Sequence, residues 1–186
     1  MRVHLLSPYP ERIAPIIEAA GDIITGIDAA DWVISYGHRE IIKDHALFRR
    51  KGGRMINLHS SFLPWNRGAD PNFWSWFDDT PKGVTIHMID ERIDTGPIVE
   101  QRTLSRWTKY DTLSTTYWRL QMELLTMFAN KWPAIRVGDF KLLMQPAGGS
   151  IHRSKDKDGL FGAACLRGWH TPVADVAEFG KIKRAA

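Results

Sequence analysis

Three side chains in two short runs have the types that acyl transfer needs. Asn57 and His59 stand two apart in Asn57-Leu58-His59-Ser60-Ser61-Phe62-Leu63-Pro64-Trp65-Asn66-Arg67-Gly68. Asp94 belongs to a second run, Gly83-Val84-Thr85-Ile86-His87-Met88-Ile89-Asp90 continuing to Ile93-Asp94-Thr95-Gly96-Pro97-Ile98. Moving a one-carbon acyl group onto an amine passes through a tetrahedral oxyanion, which needs preorganised donors. The Asn57 amide is one such donor, and a charged His59 is another. The attacking amine must also lose a proton to a positioned base. A carboxylate beside an imidazole favours its charged form, and Asp94 can also take the proton, directly or through a water.

The elements around these residues must bring them together. Arg54 to His59 reads as a strand, and residues i and i+2 of a strand share a face. Val84 to Ile89 reads as the next strand, with Asp94 in the Gly/Pro-containing loop that follows. Arg2 to Ser7, Ile23 to Thr25 and Asp31 to Gly37 read as further strands, and Ile98 to Leu104 as an edge strand. Helices are expected over Pro8 to Ala20, Arg39 to Arg50 and Pro71 to Asp79. A long one fits Thr112 to Lys131, where Leu113, Tyr117, Leu120, Leu124 and Phe128 repeat at helical spacing. Asp111 is the expected N-cap, and Pro133 the stop. Beyond Gly138 the pattern weakens: Lys141 to Gln145 reads as a strand, Gly148-Gly149 as a flexible break, and Ile151 to Phe161 as polar and mixed.

Strands alternating with helices imply an α/β fold with a mostly parallel, Rossmann-like sheet flanked by helices. In such sheets sites form beyond the carboxyl ends of the strands, which is where His59 and Asp94 are expected. No repeat, low-complexity segment or linker is visible, so residues 1–186 read as a single domain.

Composition narrows the class. The chain has 186 residues, 44% hydrophobic and 25% charged, as in an ordinary globular domain with a sizeable core. One cysteine, Cys165, excludes an intrachain disulfide. With no signal-like segment, it points to a reducing, cytoplasmic location. No apolar run is long enough for a membrane span. The seven His show no HExxH spacing and there is no Cys pair, so no metal site is expected. No GxGxxG or phosphate loop indicates a nicotinamide or ATP cofactor. The net charge of +4 suits anionic small molecules as well as nucleic acid. A pI near 9.3 and eight Trp raise a nucleic-acid module as a competing reading. It would need basic residues interleaved with aromatics on one face; here the aromatics fall on helical core faces. The Lys181 to Arg184 stretch is given no function.

Taken singly, Asn57 and His59 could be satisfied polar residues at a strand end, and Asp94-Thr95-Gly96 only a turn. Their combination is more specific. Asn57, His59, Ser61, Leu63, Pro64 and Gly68, followed by Asp94 and Gly96, resemble the folate-dependent formyltransferases, with Phe62 and Ser60 departing from the usual pattern without touching a chemical group. The resemblance covers roughly residues 32 to 102. It implies Asn57, His59 and Asp94 as catalytic residues and 10-formyltetrahydrofolate as donor. It implies that the segment Tyr36-Gly37-His38-Arg39-Glu40-Ile41-Ile42 cradles the pterin through its backbone, with Tyr36, Arg39, Glu40, Ile41 and Ile42 in contact. Ile89, Asp90 and Arg92, in the loop running to Asp94, close the other side. Ile41 and Ile42 also have a plain reading as the start of a core helix. Relative to the family, the N-terminal half is expected to be shortened.

For the acceptor, the stretch from Leu63 to Asn72 looks most like the formyltransferases that act on nucleotide-linked amino sugars. Ser61, Trp65, Asn66, Arg67 and Asp70 are the candidate substrate contacts. His152, Arg153 and Lys155 could meet a diphosphate or form a solvated turn. Alternatives are another small amine such as glycinamide ribonucleotide, or hydrolysis of the same folate. Small-molecule substrates are the expected partners, with no nucleic acid and no membrane; a homodimer is left open.

Overall fold

The computed structural model describes residues 1–40, 42, 47 and 51–185. Among them run β1 (Arg2–Leu6), α1 (Pro10–Ala19), β2 (Ile23–Ile24), β3 (Trp32–Tyr36), β4 (Met55–His59) and β5 (Arg67–Gly68). There follow α2 (Pro71–Phe77), β6 (Gly83–Met88), β7 (Ile98–Thr103), α3 (Leu113–Ile135), β8 (Ile151–His152), α4 (Leu160–Ala164) and α5 (Val173–Ala185). The expected helix over 39–50, including Ile41, His45 and Phe48, falls largely outside the described residues.

A six-stranded mixed sheet has the order β2-β1-β3-β4-β6-β7. β1 pairs in parallel with β2 and β3, and β3 with β4. The next ladder departs from expectation: β6 runs antiparallel to β4, pairing Asn57 with His87 and His59 with Thr85. The carboxyl ends of β4 and β6 therefore point in opposite directions, so adjacent carboxyl ends are not what brings His59 and Asp94 together.

The chain divides into two compact units, Met1–His59, Thr85–Gln101 and Leu124–Gln145 in one, and Ser60–Val84, Arg102–Glu123 and Pro146–Ala186 in the other. In the first, β3 is buried along its whole length, as its apolar run Trp32-Val33-Ile34 requires of a strand covered on both faces. Ile13 and Ile17 of α1 are fully buried, as are Met127, Phe128, Trp132 and Ile135 of α3. The buried Asp22 carboxylate accepts from Trp132 Nε1 at 2.8 Å and pairs with Arg136 at 2.7 Å. These contacts explain why α3 continues past Lys131. Pro133 lies inside the helix, which ends at Ile135. Its missing N–H forfeits the one bond to the carbonyl four residues back, and the buried Trp132 and Ile135 hold the last turn in spite of that.

The second unit has its own core of Phe73, Trp74, Phe77, Leu113, Ala164, Cys165, Val173 and Val176. Thr112, not Asp111, caps α3: its hydroxyl accepts from the Thr115 amide at 3.2 Å, and its own amide donates to Thr115 Oγ1. Asp111 instead accepts from the Thr108 amide and pairs with Arg119. The weakly patterned C-terminal stretch is ordered. α5 buries Val173, Val176 and Gly180, a stripe of small residues too modest to stand out as an apolar face. Lys141 to Gln145 forms only a bridge, Leu143 to Ile98, rather than a strand. Gly149 is not a flexible break: a Cβ there would run into the Pro64 carbonyl, so a glycine holds this close approach.

Candidate active site

β4 ends with Asn57 and His59 on one face, and the antiparallel register sets His87 and Thr85 directly opposite them. Directly opposed residues of an antiparallel pair share a face, so four polar side chains meet there. His59 is 7% exposed, His87 2% and Thr85 0%. Thr85 Oγ1 accepts from the Gln101 amide at 2.9 Å.

Asp94 reaches this face by a loop that folds back after β6. The Met88 amide donates to the Pro97 carbonyl at 2.8 Å. A Cβ on Gly96 would collide with the Met88 carbonyl, so only glycine closes the turn. Asp90 braces the loop by accepting from Thr95 Oγ1 at 2.7 Å and from the Arg92 amide at 3.1 Å. The Gln145 amide donates to the carbonyls of Asp94 and Gly96 at 2.8 and 2.9 Å. Asp94 itself has a positive φ of 50°, which aspartate tolerates better than most residues.

The result is one cluster. Asn57 Nδ2 donates to Asp94 Oδ1 at 3.0 Å. His59 Nδ1 lies 3.7 Å from Asp94 Oδ2, an ion-pair distance too long for a direct hydrogen bond. His87 Nε2 is 3.3 Å from Asn57 Nδ2 and 3.4 Å from Asp94 Oδ1. The three candidate catalytic residues thus meet, and His87 meets them. His87 escaped the sequence reading because its place depends on strand register. The available signal was its alternation with Thr85 in an otherwise apolar strand.

The remaining candidates are distributed as follows. Tyr36 is buried at the end of β3, Arg39, Glu40 and Arg92 are exposed, and Ile41 lies outside the described residues. Ile42 and Ile89 each pack against the cluster of Val33, Leu47 and Met55. In the second unit, Ser61 is buried with its hydroxyl donating to the Trp65 carbonyl. Asn66 is fully buried and donates to Thr80 at 2.7 Å. Asp70 pairs with Lys157 at 2.8 Å. Trp65 is 36% exposed, and Arg67 is half-buried near the Gly148 carbonyl. His152 stacks on Trp74, with ring centroids 3.9 Å apart, and pairs with Asp78 at 2.8 Å. Arg153 and Lys155 are exposed. Among the described residues no group of three or more His, Cys, Asp and Glu is arranged to hold a metal, and no helix is long and apolar enough to cross a membrane.

The model of the formyl transferase family matches residues 22–128, more than half of the chain and the whole of this cluster. The chain belongs to the formyl transferase family. Among its formyl transferase relatives, the dTDP-4-amino-4,6-dideoxyglucose formyltransferase of Mycobacterium tuberculosis (strain ATCC 25618 / H37Rv) is 34% identical over 111 residues, 59% of this chain and 46% of that protein. The chain thus spans about half the length of the curated relatives it matches. The formyltransferase PseJ from Anoxybacillus kamchatkensis, solved in complex with UDP-4,6-dideoxy-4-formamido-L-AltNAc and tetrahydrofolate, is 41% identical. Its TM-score is 0.88 over 95% of this chain and 97% of that chain. WlaRD, a sugar 3N-formyl transferase solved with dTDP and 5-N-formyl-THF, is 26% identical with a TM-score of 0.63, over 73% of this chain and 51% of that one.

Proposed function

We propose that this formyl transferase moves the formyl group of 10-formyltetrahydrofolate onto the amine of a nucleotide-linked amino sugar. The observation that carries the chemistry is the cluster of Asn57, His59 and Asp94 on one face of the sheet. The acceptor class is supported by the end-to-end likeness to PseJ, whose structure holds a UDP-linked formamido sugar and tetrahydrofolate.

The neutral amine attacks the formyl carbon, forming a C–N bond and an oxyanion. A charged His59 donates to that oxyanion. Asp94 accepts the proton that the attacking nitrogen loses, directly or through a water. Collapse of the intermediate breaks the bond from carbon to N10 of the folate, which leaves protonated as tetrahydrofolate. Ile42 and Ile89 would wall the pterin, with backbone groups after Tyr36 supplying hydrogen bonds. Of the acceptor candidates, Trp65 and Arg67 are the ones we place against the sugar nucleotide, the Trp face on the sugar and the guanidinium near a phosphate. Ser61, Asn66 and Asp70 act on it indirectly by holding the loop. The whole chain working as a single domain, at a cytoplasmic location and without nucleic acid or membrane as partner, goes with this reading. Burial of Phe73, Trp74 and Phe77 removes aromatics that a nucleic-acid surface would need.

Turnover of 10-formyltetrahydrofolate with a panel of dTDP-, UDP- and GDP-linked amino sugars tests the proposal, against glycinamide ribonucleotide and a no-acceptor control. Formamido-sugar product is the expected result. An unreactive folate analogue should raise the melting temperature, because a ligand of the native state stabilises it. Formylation of glycinamide ribonucleotide alone would overturn the acceptor. Formate release without acceptor would make the protein a hydrolase.

A further inference from the structure

We infer that His87 is a positioning residue, holding the Asn57 amide in one orientation through a neutral imidazole protonated on Nδ1. The inference rests on the proposed function for its catalytic meaning, but the hydrogen bonds themselves fix the protons. His87 Nδ1 lies 2.8 Å from the Met88 carbonyl oxygen. A carbonyl only accepts, so Nδ1 carries a hydrogen. Asp94 Oδ1 is 3.0 Å from Asn57 Nδ2. An ionised carboxylate also only accepts, so the amide must turn its NH₂ edge, not its oxygen, toward Asp94. That same nitrogen is 3.3 Å from His87 Nε2. Two N–H groups cannot bond each other, so Nε2 is the unprotonated nitrogen and accepts from the Asn57 amide. A protonated Nε2 would face the Asn57 NH₂ and compete with it for Asp94 Oδ1, 3.4 Å away.

The arrangement has a chemical consequence. The NH₂ edge of the Asn57 amide is held between Asp94 and His87. That fixes the direction of its Oδ1, an acceptor. An acceptor there orients an N–H of the attacking amine, so that its lone pair points at the formyl carbon. His87 is 2% exposed, so it acts through Asn57 and Asp94 rather than by touching substrate.

Two measurements test this. Side-chain nitrogen NMR of the full chain without substrates, near neutral pH, should show His87 protonated on Nδ1 and bare on Nε2. A doubly protonated ring, or hydrogen on Nε2 alone, would overturn the inference. Kinetics of three variants supply the second reading. His87→Gln keeps an acceptor near the Nε2 position, whereas His87→Asn and His87→Ala do not. The latter two should lose about 10- to 10²-fold in kcat, the scale expected of a misplaced reacting group, with the KM for folate little changed. His87→Gln should recover part of the loss. Wild-type kcat in folded His87→Asn, or equal losses in all three variants, would overturn the positioning role. Should the wild type formylate no acceptor, the function falls and the NMR result still decides how His87 and Asn57 are paired.

Discussion

At 3.7 Å, His59 Nδ1 and Asp94 Oδ2 lie within ion-pair distance but too far apart to hydrogen-bond each other directly. In the proposed mechanism such a pair works as one device, each side chain orienting the other. His59→Ala and Asp94→Asn should each lower kcat on the order of 10²- to 10⁴-fold, the range for acid–base groups. The double variant should lose little more, since groups that act together are non-additive. Multiplied losses, measured at saturating substrate with circular dichroism confirming the fold, would mean that the two residues act separately. This pair was legible in the sequence because Asn57 and His59 are two apart on a strand and Asp94-x-Gly96 marks a tight loop. His87 was not, because the register opposing it to Asn57 is a long-range fact. Nor was burial readable from polarity. Ser61 and Asn66 are polar residues of the stretch that resembles the sugar-nucleotide enzymes, yet both are buried, Ser61 donating to the Trp65 carbonyl and Asn66 to Thr80 beyond α2.

Among the elements, those with a strong local period were recovered nearly to the residue, from β1 and β3 to the first five turns of α3. The direction of β6 was not, because a run such as Gly83-Val84-Thr85-Ile86-His87-Met88 has the same side-chain period whichever way its neighbour runs. The antiparallel ladder leaves one task to the loop after β6, which must turn back over the sheet to deliver Asp94. Gly96 makes that return possible by passing against the Met88 carbonyl. Gly96→Ala should therefore push the loop away and lower kcat by about 10²-fold, the usual effect of a displacement near 1 Å, while far-UV circular dichroism stays unchanged. Gly162→Ala, in α4 with nothing near its added Cβ, is the matched control and should keep full activity. Equal activity in both variants would show that the loop tolerates the shift and that Asp94 is not held as closely as the turn implies.

On the scale of the whole molecule, each of the two units carries a carboxylate held below its ordinary range. In the first, the Arg2 amide and guanidinium bond Asp31 and lower its pKa. In the second, burial pushes Asp111 up, but the Thr108 amide, Thr115 hydroxyl and Arg119 together outweigh it, and its pKa also ends low. A carboxyl with a lower pKa in the folded chain than in the unfolded one stabilises the fold fully above the unfolded value, about 4. That stabilisation is lost as the pH falls through the folded value, because the unfolded chain then binds the proton more readily. The melting temperature should therefore hold steady near neutral pH and fall below about pH 4. Asp111→Asn keeps an acceptor for the Thr108 amide but no charge for Arg119. It should melt lower than wild type at pH 7 and show a shallower decline between about pH 5 and pH 2. Thermal melts of the two proteins across that range check this. Parallel curves would mean that Asp111 gains nothing from its charge in the folded chain.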